Sequence, residues 1–243
     1  VIFPEIFAHF AESLCKNKKI PYAIFVQNGY SIAPSNNYNL LNTVYKNAKF
    51  ILSYSGDISK CIKLAFPFCK NKILKTNISI DVKKFNFKIK KSNLITYMPR
   101  KLPIHSDYLK FFLKEKLPKN WKIKSIHNLT EEKVYKFLLQ SKIFLSFSNL
   151  EGLGIPPIEA AIAGNKVIGY HGQGGKGYWK EPIFTKINSG DLNNFVIEVV
   201  KNTNKNKLLN KLKLQRKKII NTFSIKQEKI HINNMIKKIQ NNR

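Results

Sequence analysis

Two glutamates, Glu151 and Glu159, stand eight positions apart around a short segment rich in glycine and proline. A carboxylate accepts hydrogen bonds from vicinal hydroxyl groups on a hexose or a ribose, which offer two donors at a fixed spacing. The segment begins Gly152-Leu153-Gly154, whose backbone N–H groups can face a diphosphate because glycine allows the ligand to approach closely. These residue types in this order predict a site for a sugar nucleotide.

The flanking pattern predicts the elements that position the two glutamates. Residues 142–148 form an apolar run that predicts a buried strand, and we expect Glu151 in the loop that follows. A double proline then suits the start of a helix, with Glu159 in its first turn. On a second interpretation, Glu159 only favours the helix N-terminus and Glu151 is a solvated loop residue. Residues 166–170 resume a β-rich pattern, so the unit is a parallel crossover.

This stretch resembles the signature of a known enzyme family. The segment from Glu151 to Glu159, with its glycines and its Glu-Ala step, resembles the glutamate, seven residues, glutamate motif of GT-B glycosyltransferases of the retaining group called family 4. The resemblance implies an α/β protein with two Rossmann-like domains built on parallel sheets. It also implies that Glu159 holds the ribose or nucleotide end, while Glu151 and the backbone of residues 152–154 hold the sugar and phosphates.

Two cations follow another predicted strand, residues 94–98. They are Arg100 and Lys101, and in an open parallel sheet the ligand crevice lies beyond the carboxyl ends of the strands. We therefore expect both cations near the crevice that contains Glu151. The resemblance implies that they neutralise the donor diphosphate, arginine as a bidentate fork and lysine as a point charge.

A glycine-rich segment, residues 171–177, follows the strand after the two-glutamate motif. It matches the G-x-G-x-x-G spacing of dinucleotide sites, but the sequence after it predicts no helix, so NAD or FAD binding is not favoured. The resemblance implies instead a glycine loop over the sugar, with Gly174 and Gly175 as its Gly-Gly step.

The composition limits the kinds of binding partner that the chain is expected to have. The chain has 243 residues and a formal net charge of +29, which suits polyanions or an anionic membrane face. Only three of the 43 cations are arginine and the lysines are spread along the chain, whereas nucleic-acid sites combine arginine with aromatics on one face. We therefore expect no specific nucleic-acid partner, and a possible peripheral contact with an anionic membrane. Three irregularly spaced cysteines suit a reducing cytoplasm.

Alternating strand and helix patterns predict the domain organisation. We expect residues 1–88 to be the remnant of an N-terminal, acceptor-side Rossmann-like domain whose beginning is missing. Residues 89–222 would form the nucleotide-sugar-binding domain, and residues 223–243 a basic helix. The resemblance implies that this last helix crosses back to the first domain, and the alternative is an anionic membrane face. No apolar run predicts a transmembrane helix, and no signal peptide is expected.

A further helix is predicted between the first and second strands of the nucleotide-sugar-binding domain. Residues 107–116 predict a helix with Tyr108, Phe111 and Phe112 facing the core.

The sequence thus predicts a glycosyltransferase that moves a sugar from a nucleotide-diphosphate donor to a carbohydrate or lipid-linked acceptor. The resemblance implies retention of anomeric configuration, electrostatic stabilisation of the leaving diphosphate, and no bound metal, in keeping with the absence of an Asp-x-Asp motif. Two alternatives stay open. One is a GT-B nucleotide-sugar epimerase, and the other is a non-catalytic basic module that binds polyanions.

Overall fold

A computed structural model describes residues 1–33, 37–204 and 209–240, which build two parallel sheets. The first sheet has the strand order β1-β2-β3-β4. Its strands are β1 (Ile2–Pro4), β2 (Ala23–Val26), β3 (Phe50–Ser53) and β4 (Ile73–Lys75). Its helices are α1 (Phe10–Cys15), α2 (Tyr38–Asn47) and α3 (Gly56–Ala65).

The second sheet has the strand order β6-β5-β7-β8-β9. Its strands are β5 (Leu94–Tyr97), β6 (Lys122–Ser125), β7 (Ile143–Glu151), β8 (Lys166–Gln173) and β9 (Phe184–Lys186). Its helices are α4 (Pro103–Leu113), α5 (Glu131–Gln140), α6 (Ile155–Ile162) and α7 (Leu192–Thr203). The strand order reverses between β5 and β7, the kind of switch point at which open parallel sheets bind ligands. The predicted α/β class with two parallel sheets is confirmed.

Strand β7 shows why a strand of this sheet is an uninterrupted apolar run in the sequence. Its residues from Ile143 to Phe147 are all buried, because helices cover both faces of the sheet. Phe144 packs in the core on one face, whereas Leu145 and Phe147 pack in the core on the other. The strand is therefore fixed from both sides, and its carboxyl end is a rigid support.

The last two helices connect the two sheets. Helix α8 (Leu209–Thr222) contributes Ile219 to the core of the second sheet. Helix α9 (Ile225–Gln240) then packs Met235 and Ile239 against apolar residues of the first sheet. Within the described ranges, none of the helices is long and apolar enough to cross a membrane.

The structure corrects the predicted core face of α4. Tyr108, Phe111 and Phe112 are exposed, and the buried residues of this helix are Ser106, Leu109 and Leu113. The helix carries two apolar stripes at helical spacing on opposite sides. Periodicity identifies both stripes but cannot say which one faces the sheet.

The connection between the two units contains a partly buried lysine, Lys91. Lys91 Nζ donates hydrogen bonds to the Ser141 carbonyl oxygen at 2.6 Å and to Asn165 Oδ1 at 3.0 Å. Burial, together with the nearby charge of Arg216, lowers the pKa of the Lys91 ammonium to about 7. The segment around Lys91 is therefore anchored to the second unit.

The lowered pKa of Lys91 predicts a pH-dependent stability. Between pH 7 and the ordinary lysine value of 10.5, the unfolded chain holds a proton at Lys91 that the folded chain has lost. The free energy of unfolding should then rise with pH by up to about 1.4 kcal/mol per unit from this group. Urea unfolding of wild type and Lys91→Met at neutral and alkaline pH measures the difference. Equal pH slopes for the two proteins would contradict it.

Candidate active site

A cavity of about 340 Å³ lies between the carboxyl ends of the two sheets, at the switch point between β5 and β7. Its volume is within the range of small-molecule sites, roughly 300–1,000 Å³. The second sheet lines it with Arg100 and Lys101 after β5, with Glu151 at the end of β7, and with the loop 152–154 that follows. The first sheet contributes residues that follow β1, β2 and β3: Glu5, Gln27, Asn28 and Tyr54.

Glu151 is the last residue of β7 and not, as predicted, a loop residue. The register against β8 shifts between Ser148 and Glu151, and Leu150 has a positive φ of 47°. A bulge of this kind re-aims a side chain at a strand end. The Glu151 carboxylate lies 3.2 Å from Lys101 Nζ, and both side chains are partly buried. The structure therefore joins one predicted anion and one predicted cation in a single ion pair.

Glycine occupies positions 152 and 154 of the loop for two different structural reasons. A Cβ on Gly152 would lie 1.9 Å from the Gln27 carbonyl oxygen, so Gly152 is required by contact with the first unit. Gly154 precedes α6 with a left-handed φ of 79°, which suits glycine. The Leu153 side chain is buried in the core, so only its backbone is available to a ligand.

Gly174 packs against the backbone of this loop, and Gly175 follows it. They lie in a 3-10 turn after β8, and a Cβ on Gly174 would be 2.2 Å from the Gly152 carbonyl oxygen. Neither glycine is among the described residues that line the cavity. The close packing of Gly174 fixes the backbone of Glu151 and Gly152, whereas Gly175 packs against the side chains of His171, Tyr178 and Trp179.

Tyr178 is a positioning residue that sequence reasoning missed. Its hydroxyl lies 3.0 Å from the Leu153 carbonyl oxygen and 2.8 Å from that of Gly154, and it donates to one of them at a time. Burial raises the pKa of the phenol, so Tyr178 stays a neutral donor. Nothing in the spacing of an aromatic residue after a glycine turn distinguishes this role from ordinary packing.

Replacing Tyr178 with phenylalanine should loosen the loop. The change leaves two buried carbonyl groups without this donor, which costs about 1–3 kcal/mol of folding free energy. We expect a lower Tm for Tyr178→Phe and a smaller thermal stabilisation by donor. Tyr38→Phe is the matched control, since the Tyr38 hydroxyl also donates to a carbonyl but is exposed. Equal effects of the two substitutions would refute the positioning role.

Glu159 lies in the second turn of α6, because the helix begins at Ile155. The prediction of a first-turn position is wrong, and the interpretation of Glu159 as a dipole-stabilising residue loses its basis, since that effect is confined to the first turn. The Tyr135 hydroxyl lies 3.2 Å from Glu159 Oε1 and 3.1 Å from Glu131 Oε1. Burial raises the pKa of Glu159. Glu159 is not among the described residues that line the cavity.

The raised pKa of Glu159 predicts that its carboxylate opposes folding at neutral pH. A raised folded-state pKa gives stability that is present at acidic pH and lost as pH rises through that value. Glu159→Gln keeps an acceptor for Tyr135 without the charge, so its Tm should exceed that of wild type at neutral pH and converge with it in acid. Thermal melts across this range test the prediction, with exposed Glu132→Gln as control. A lower Tm for Glu159→Gln at neutral pH would contradict it.

The first unit presents an ordered backbone to the cavity. The two oxygens of buried Glu5 accept the N–H groups of Gln27 and Asn28, each at 3.0 Å. Tyr54 donates to the Gln27 carbonyl oxygen at 2.8 Å, and Asn28 Nδ2 donates across the cleft to the Leu150 carbonyl oxygen at 3.1 Å. Sequence reasoning missed these four residues, although each directly follows a strand of the first parallel sheet.

Comparisons of sequence find no relatives. No protein-family model matches the chain, and no curated protein matches it.

Comparisons of structure find solved proteins of similar fold. Sucrose-phosphate synthase from Thermosynechococcus elongatus matches with a TM-score of 0.68 and 10% identity, over 100% of this chain and 74% of that chain. HepE from Anabaena, in complex with UDP and glucose, matches with a TM-score of 0.76 and 8% identity, over 98% and 78%. The catalytic domain of starch synthase IV from Arabidopsis thaliana, bound to ADP and acarbose, matches with a TM-score of 0.60 and 9% identity, over 98% and 71%. At these identities the likeness shows the fold, and the chain therefore has the GT-B fold of nucleotide-sugar glycosyltransferases.

Proposed function

We propose that this chain transfers a sugar from a nucleotide-diphosphate donor to a carbohydrate or lipid-linked acceptor. The observation that carries the proposal is the meeting of Arg100, Lys101 and Glu151 in one cavity at the switch point of the second sheet. Among structures of this fold, HepE is described in complex with UDP-glucose. The motif from Glu151 to Glu159 supports a place among the family 4 enzymes.

The two cations carry most of the charge stabilisation. The first four residues of a helix offer free N–H groups to an anion, but in α6 the second and third are Pro156 and Pro157, which have none. The helix therefore supplies fewer donors to a diphosphate than an ordinary helix would. Arg100 and Lys101 supply the missing positive charge, and their stabilisation of the departing diphosphate lowers the barrier.

The glutamates hold the two ends of the donor. Glu151, which follows the bulge in β7, accepts hydrogen bonds from sugar hydroxyl groups while its other contact, Lys101, faces the phosphates. Glu159 holds the ribose, oriented by Tyr135. Binding the donor in this way leaves the first sheet to present the acceptor to the anomeric carbon.

The acidic residues of the cavity already have hydrogen-bond or ion-pair partners, which fits a reaction that retains the anomeric configuration. Among the described residues that line the cavity, the acids are Glu5, which accepts two backbone N–H groups, and Glu151, which pairs with Lys101. These contacts favour the leaving phosphate over a carboxylate as the group that takes the proton of the acceptor hydroxyl. The acceptor oxygen bonds to the anomeric carbon as the bond from that carbon to the phosphate oxygen breaks. NMR of the product tests this stereochemistry.

The experiment that tests the function is an assay of nucleoside diphosphate release from UDP-, GDP- and ADP-sugars, with and without carbohydrate acceptors. We expect release that depends on acceptor and persists in EDTA, because cationic side chains rather than a metal stabilise the leaving group. Release without any acceptor would instead indicate an epimerase-like enzyme. Strongly salt-dependent nucleic-acid binding that survives Glu159→Ala, without turnover, would replace the proposal with a binding module.

A further inference from the structure

Helix α4 presents an apolar stripe to solvent. Ile104, Tyr108, Phe111 and Phe112 are 62%, 55%, 74% and 47% exposed, and their spacing places them on one side of the helix. The opposite side, which contains Leu109 and Leu113, is fully buried. The exposed stripe is thus not needed for the packing of α4. Contiguous exposed apolar surface of this kind marks an interaction site more often than chance.

Lysines surround the stripe. A shallow hollow beside Phe111 is lined by Lys114, Lys119 and the ion pair of Lys110 with Asp107, and also by Glu115, with Leu117 and Trp121 as apolar neighbours. Residues 104–124 contain six lysines against two acids, Asp107 and Glu115, so their net charge is +4. Lys114 and Lys119 are exposed. The surface therefore combines protruding aromatic rings with a local excess of positive charge.

We propose that this face of α4 docks on an anionic lipid bilayer. Helices that lie in a membrane interface combine lysine on the polar side with large apolar side chains on the other. Protein interfaces, by contrast, are depleted in lysine at their cores. Pairing of this face with the same face of a second copy of the chain is disfavoured, because it would bring the two lysine clusters together. Charge and shape together therefore select a negatively charged membrane surface as the occupant.

The apolar stripe runs along the whole length of α4. The helix begins two residues after Lys101, which lines the cavity, and Phe111 and Phe112 lie near its other end. A bilayer that receives the whole stripe, from Ile104 to Phe112, would therefore contact both the end of α4 near the cavity and the end away from it. This inference stands apart from the chemistry proposed above, since bilayer binding requires neither donor nor turnover.

The test is co-sedimentation with vesicles of phosphatidylcholine alone and of phosphatidylcholine mixed with phosphatidylglycerol. We expect wild type to bind the anionic vesicles, and Phe111→Ser/Phe112→Ser to weaken that binding by about tenfold or more, as for loss of two inserted aromatic side chains. Lys114→Glu/Lys119→Glu should weaken it similarly. The controls lie on the exposed side of α3: Leu64→Ser and Lys60→Glu/Lys63→Glu should retain binding.

The decisive result is that substitutions in α4 weaken vesicle binding and the matching substitutions in α3 do not. Equal loss in the α3 lysine pair, or full retention in the α4 aromatic pair, would show diffuse adhesion of a basic chain and overturn the proposal. So would a wild-type dimer that becomes monomeric in Phe111→Ser/Phe112→Ser by analytical ultracentrifugation, because the stripe would then be a protein interface. Thermal melts confirm that each variant is folded.

Discussion

Lys101→Met is expected to lower kcat by about 10²–10³, the usual cost of removing one preorganised group that stabilises developing negative charge. In the free protein Lys101 is paired with Glu151 at 3.2 Å, so the ammonium is already held where the diphosphate would arrive. The two prolines near the start of α6 remove backbone donors that would otherwise compensate. The effect should appear in kcat more than in KM, because the charge grows as the bond to the anomeric carbon breaks.

Three further variants separate the interpretations of this result. Lys63→Met removes an exposed lysine from α3 and should leave kcat unchanged. Lys101→Arg restores a positive charge in another geometry and should recover part of the rate. Glu151→Gln added to Lys101→Met removes the unpaired carboxylate that the first substitution leaves behind. If this double variant were as active as wild type, the role of Lys101 would be confined to neutralising Glu151, and the account would be wrong.

Gly152→Ala is expected to reduce activity by about a hundredfold, the loss that a misplacement of about 1 Å can cause at a reacting centre. The added Cβ would lie 1.9 Å from the Gln27 carbonyl oxygen, and backbone lies on both sides of the contact. The contact can be relieved only if the two units move apart or the loop shifts. Either movement separates the acceptor side from Arg100 and Lys101.

The matched control for this substitution is Gly177→Ala. Gly177 lies in the neighbouring glycine turn, and an added Cβ there would meet no atom within 4 Å. It should retain wild-type activity and Tm. Nucleotide binding by Gly152→Ala should fall less than turnover, because the second unit supplies the residues assigned to the donor. Unchanged turnover in Gly152→Ala would show that this contact between the units is not needed for activity.

The α/β architecture was predictable because its signals are local. The run from Ile143 to Phe147 is apolar for the length of a strand, and Asp191 is an ordinary N-cap residue for α7, accepting the backbone N–H of Asn194 at 3.1 Å. The orientation of a helix was not predictable where two opposite orientations satisfy the same apolar pattern. Helix α4 has apolar residues on both sides, and only its contact with the second sheet decides between Leu109 and Phe111.

The candidate site was predictable where it follows one strand end and not where it depends on distant contacts. Arg100 and Lys101 follow β5 and Glu151 ends β7, and the rule for parallel sheets assigns such positions to one crevice. The contact of Gly152 with Gln27 joins positions more than a hundred residues apart, and no local spacing indicates it. The second-turn position of Glu159 depends on where α6 begins, which two prolines leave uncertain by a turn.

The most direct test of the account is thermal stabilisation by UDP-, GDP- and ADP-sugars of wild type, Glu159→Ala and Glu132→Ala. A donor at 100 times its Kd should stabilise by about 2.7 kcal/mol, which shifts Tm by several degrees in a protein of this size. We predict a shift with donors of one base in wild type and Glu132→Ala that is lost in Glu159→Ala. A folded wild-type protein that no donor stabilises, or a shift that Glu159→Ala retains in full, would contradict the proposed nucleotide-sugar site.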